Sequence, residues 1–94
     1  MSNKARIEAA ISAVSLKRQV DGPGWDYMAR SITKILNMML QAEQEGNVDL
    51  AYRKQLSFGL VRVVQDDYIL ADGELGLELA SIAEEFGQPI MRSN

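Results

Sequence analysis

The stretch DDYILADGELGLELASIAEE, Asp66 to Glu85, holds seven carboxylates and no cation. Carboxylates this dense can do two things. They can hold a hard divalent cation through oxygen ligands, or they can attract a basic partner surface. The spacing argues against the best-known cation loop. A helix–loop–helix calcium site needs oxygen ligands at its first, third, fifth and twelfth positions around a glycine at the sixth. With Gly73 at the sixth, Tyr68, Leu70 and Leu79 stand at three of those four. Asp66 and Asp67 are adjacent, so a helix turns them about 100° apart and they do not converge on one atom.

Other reactive groups are scarce. The chain has no cysteine and no histidine. Disulfides and thiolate metal sites are therefore excluded, as are the commonest general base and the commonest zinc ligand. A Ser-His-Asp triad cannot be assembled. Gly73 and Gly76 have no lysine or serine at the spacing of a phosphate-cradling loop. These exclusions lead to the expectation of a non-enzymatic protein that carries no cofactor.

The elements that would position any site follow from the apolar periodicity. Ninety-four residues, 47% of them hydrophobic, are enough for one packed domain, 1–94. A chain this short buries a modest share of its surface, which raises the expectation of apolar surface shared with a second copy. Ile7, Ala10, Ile11 and Val14 share one face of a helix predicted at about 2–19. The DGPG break, Asp21 to Gly24, follows, and Pro23 suits the first turn of the next helix. Trp25, Met28, Ile32, Ile35, Leu36 and Met39 then mark an amphipathic helix at about 23–45. Gly46 is placed to end it, and Asn47 to cap the next helix.

The third segment, about 48–70, keeps helical spacing at Tyr52, Leu56, Gly59, Leu60, Val63 and Val64. Phe58 and Val61 make it apolar nearly all round, so the expectation is one long buried helix. FGLVRVV taken alone also has strand character. A fourth helix, about 74–86, aligns Leu75, Leu79, Ile82 and Phe86, and Gly87 stops it before a tail, 87–94. Short connections between four such helices predict an all-α, compact antiparallel four-helix bundle.

The segment ADGEL followed by Glu78, Ala71 to Glu78, resembles the helix–turn–helix element of tellurite-resistance TerB-like helical domains. That resemblance implies an all-helical fold and a divalent-metal site, with Asp72, Glu74 and Glu78 as the residues to test. The residues themselves have a simpler use: Asp72 and Glu74 complement the positive end of a helix, worth about 0.3–1 kcal/mol each.

Charge and location narrow the partners. Net charge is −3, with four basic and eight acidic residues in 48–94. This argues against a phosphate backbone as ligand, and the apparent helix-turn-helix opening ELASIAEEFGQP lacks a recognition helix. Nucleic acid is not an expected partner. Glu8 interrupts the N-terminal apolar run, and no run is long enough to span a bilayer, so a cytoplasmic protein without a membrane role is expected.

What remains is a protein–protein interaction module, expected to form a homodimer and to act as an adaptor, inhibitor or immunity-type regulator. Its candidate contacts are Trp25, Tyr27 and Met38, aromatic or adaptable side chains, together with the acidic set Asp66, Asp67, Glu74 and Glu78. Met28 and Met39 fit the inward face and are expected in the core.

Overall fold

The apolar positions at intervals of three and four do become the buried stripes of four helices. In the computed structural model, which describes residues 3–21, 23–67, 70 and 72–88, these are α1 (Asn3–Asp21), α2 (Asp26–Glu45), α3 (Leu50–Gln65) and α4 (Glu74–Phe86). A 3₁₀ turn, Pro23–Trp25, leads into α2. No strand occurs among the described residues. Phe58 to Val64, whose composition also suits a strand, lies wholly within α3.

Each helix packs on two neighbours: α1 on α2 and α4, and α3 on α2 and α4. The result is a square bundle around one core. Ile7 and Val14 of α1, Ile32, Leu36 and Met39 of α2, Leu60 of α3, and Leu79 and Phe86 of α4 are fully buried there. Burying a side chain of this size contributes roughly 1.5–3 kcal/mol before entropy is counted. Met28 is partly buried against the core.

The junction between α2 and α3 shows how sequence sets an element boundary. Gly46 adopts φ +68°, the left-handed region open to glycine. Its N–H donates to the Glu43 carbonyl and that of Asn47 to the Ala42 carbonyl, the paired bonds of a Schellman stop. The next helix is capped by Asp49, whose side chain accepts from the Ala51 N–H at 3.1 Å. Asn47, the expected cap, instead accepts from the Asp49 N–H at 2.9 Å, so α3 starts at Leu50 and not at Val48.

Three further expectations are corrected. α3 ends at Gln65, with Asp66 already in a turn, so it is shorter than the predicted 48–70. It is also not buried all round, because Phe58 is 69% exposed. The first helix runs on to Asp21, two residues beyond its predicted end. The fourth keeps its predicted bounds, although Gly87 ends it at φ −81° and so without the left-handed backbone. A Cβ at Gly87 would stand 3.0 Å from Ser57, and close packing is what requires glycine there.

Ser2, Tyr68, Ile69, Ala71 and residues 89–94 of the expected tail lie outside the described residues. No helix among the described residues is long and apolar enough to cross a membrane.

Candidate functional site

The residues singled out from sequence do not form one site. Trp25 is 8% exposed and belongs to the core. The turn at Pro23–Trp25 folds it inward, and Lys17 of α1 lies over its ring at 5.3 Å. The indole is therefore spent on packing α1 against the start of α2. Tyr27, two residues later, points the other way and is exposed. Met38 sits on the same helix three turns on, partly buried.

Met38 lines a groove of about 520 Å³ between α1 and α2, together with Val14, Arg18, Arg30 and Lys34. Asp26 sits beside this groove and pairs with both Arg18 and Arg30, the latter at 3.5 Å. The cations at that end of the groove are thus partly neutralised from within the chain.

The acidic set is divided in the same way. Asp66 is the exposed residue that follows the last turn of α3. Asp67 accepts from the Leu70 N–H at 3.2 Å and so shapes the connection to α4. Asp72 and Glu74 are exposed, and Glu74 stands in the first turn of α4, where a negative charge complements the helix dipole. Glu78 is paired with Arg6 of α1. Among the described residues no group of three carboxylates converges as a cation cage would require.

Arg6 is the hub of a clamp between α1 and α4. Glu78, Ser81 and Glu85 fall on one side of α4 at intervals of three and four. Arg6 donates to all three, at 2.9 Å to the Ser81 hydroxyl and 2.5 Å to Glu85. The hydrogen bond to Glu78 holds the guanidinium above its ordinary pKa, and the charges of Glu78 and Glu85 act in the same sense against the cost of lost solvation.

Arg53 was not anticipated at all, and it is 3% exposed. Its Nε donates to the Phe86 carbonyl at 3.1 Å, one Nη to the Asn47 carbonyl at 3.0 Å and the other to Glu43 at 2.8 Å. The guanidinium plane lies 3.9 Å from the centre of the Phe86 ring. Nearby, the Ser57 hydroxyl donates to the Ala83 carbonyl at 2.6 Å. These two polar side chains therefore fasten the end of α4 to α3 and to the α2–α3 turn. Among the described residues no buried side-chain nitrogen or oxygen lacks a hydrogen-bond partner. A signal for them existed, since Arg53 and Ser57 share the arc of Leu56, Leu60 and Val64, where a solvated residue has no place.

The surfaces that stand out are apolar. Phe58 of α3 and Leu77 of α4, 69% and 62% exposed, lie on adjacent helices. The Ser57–Ala83 and Arg53–Phe86 bonds set these helices antiparallel, which puts Phe58 and Leu77 about 7 Å apart along the bundle at the rise of an α-helix. Val61 and Ala80, both partly buried, fall between them in that register. Compared with protein-family models, with curated proteins and with solved structures, the chain matches none.

Proposed function

We propose that this chain is a non-enzymatic protein–protein interaction module, a small acidic cytoplasmic adaptor, inhibitor or immunity-type regulator that acts by covering or scaffolding a partner. The observation that supports this reading is the exposure of Phe58 and Leu77 on the face shared by α3 and α4. Aromatic and large aliphatic side chains exposed together on a small, otherwise well-packed bundle are the usual centre of a contact patch. Lys54 and Glu84, both exposed, supply a polar rim of both signs. Tyr27 and Glu74, exposed elsewhere, are secondary contacts, whereas Trp25 and Glu78 act within the chain.

The test compares the wild-type chain with a Phe58→Asp, Leu77→Asp variant as bait in extracts of the native cell, with bound proteins quantified by mass spectrometry. A protein retained by the wild type and lost by a variant of unchanged melting temperature is the expected outcome. Retention of the same proteins by both baits sinks the reading.

A further inference from the structure

α3 and α4 carry opposite charge. Leu50–Gln65 holds Arg53, Lys54 and Arg62 and no carboxylate, whereas Glu74–Phe86 holds Glu74, Glu78, Glu84 and Glu85 and no cation. Part of this charge is spent within the chain: Glu43 takes Arg53, and Arg6 takes Glu78 and Glu85. Lys54 and Glu84 are exposed, and among the described residues neither forms an ion pair. They border the face that carries Phe58 and Leu77, on the side of α3 turned away from α2, where Gly59 meets Ile35.

We infer that this face is the contact between two copies of the chain, related by a two-fold axis parallel to the helices, with α3 of each copy lying on α4 of the other. Charge selects that axis. A two-fold axis across the helices would lay α3 on α3 and α4 on α4, cations on cations and glutamates on glutamates. The parallel axis lays the cationic helix on the acidic one, twice.

Symmetry then fixes the register. A half-turn about an axis parallel to the helices moves nothing along them, so residues level within one chain are level between the two. The Ser57–Ala83 and Arg53–Phe86 bonds put Phe58 level with residues 81–82 of α4. Phe58 of each copy therefore lands within about 2 Å, along the axis, of the centre of the hole formed by Leu77, Ala80, Ser81 and Glu84 of the other. Ala80 and Ser81 are small, which leaves room for the ring. Leu77 lands equally close to the centre of the hole formed by Phe58, Val61, Arg62 and Gln65, where the Arg62 stem lies against it and its head stays in water. Lys54 comes within about 3 Å, along the axis, of Glu84 of the other copy, a charge that its own chain leaves unmatched. A two-fold contact of this kind is closed, so association stops at the dimer.

This inference rests on reading the Phe58–Leu77 face as a contact patch, and it names a second copy as the occupant. Light scattering coupled to size exclusion of the purified chain is expected to show a dimer for the wild type. Lys54→Glu and Glu84→Lys each set like charges against each other at both symmetric positions. Each is expected to weaken the dimer about tenfold, with unchanged helical circular dichroism. An equimolar mixture of the two variants restores both pairs in the mixed dimer and is expected to recover wild-type association. Phe58→Ala empties both holes without adding charge and is expected to give a monomer.

A wild type that stays monomeric at its highest soluble concentration overturns the inference while leaving the contact-patch reading to capture from extracts. Wild-type association in Phe58→Ala, or in both charge variants, places the contact elsewhere and also overturns it. So does a mixture that associates no better than its components, because α3 then does not lie on α4. Should a charge variant fail to fold, Phe58→Ala decides alone.

Discussion

Arg53 and Arg6 each fasten α4 to another helix, and they do so in opposite surroundings. Arg53 is buried and distributes its donors over two backbone carbonyls and the Glu43 carboxylate, with its plane against Phe86. Arg6 lies at the edge of the bundle and reaches two carboxylates that are half in solvent. Water replaces most of what Arg6 gains from its partners, whereas it cannot reach the groups that Arg53 satisfies. The same residue type thus specifies the end of α4 in one place and only trims its surface in the other.

The comparison predicts an ordered series of stabilities, each readable by urea denaturation. Arg53→Ala is expected to cost about 3–5 kcal/mol, because it orphans a carboxylate and two carbonyls at once. Arg53→Lys should recover little of it, since an ammonium cannot reproduce the planar fork. Gly87→Ala comes next at about 1–3 kcal/mol, the cost of forcing a methyl against Ser57 at 3.0 Å. Ser57→Ala is expected to cost about 1 kcal/mol, less than Arg53→Ala because the Ala83 carbonyl still accepts from the Gly87 N–H.

Arg6→Ala should cost at most about 1 kcal/mol, and the difference from wild type should shrink in high salt. If it proved as costly as Arg53→Ala, the distinction between the two arginines would fall. The sign of its pH dependence also follows. A cation whose pKa rises on folding contributes stability that is fully present below its unfolded value and is lost only as pH climbs through the folded one. Its own titration therefore leaves the clamp intact through neutral pH. The smallest effect belongs to Asp72, which is exposed. Asp72→Ala is expected within about 0.5 kcal/mol of wild type, and calcium or magnesium should leave both melting temperatures unchanged. A rise of several degrees in the wild type alone would restore a metal role for the α4 turn.

The contrast also explains what could be read in advance. The four helices were legible because Ile7 and Val14, Ile32 and Leu36, Leu60 and Val64, and Leu79 and Phe86 repeat at the helical period and all end in the core. Boundaries were legible where backbone conformation decides, as at Gly46, and misread where a side chain decides, as at Asn47 and Asp49. Arg53 is hard to single out from sequence because a cation is ordinarily solvated, although its register with Leu56, Leu60 and Val64 places it inward. Phe58 misled in the other direction: hydrophobic character says a side chain prefers burial, but a four-helix square can bury only the inward arc of each helix. Surface sites are the part of this molecule that composition and spacing specify least.

The partners of Arg53 lie at very different distances along the chain: Asn47 and Glu43 are 6 and 10 residues away, and Phe86 is 33. Closing the short segments costs little chain entropy, so the α2–α3 hairpin can hold most of the guanidinium's bonds before α4 arrives. The last helix then docks onto a landing point already in place. In pulse-labelled amide exchange, protection around Asn47 and Arg53 is accordingly expected to precede protection at the C-terminal turn of α4.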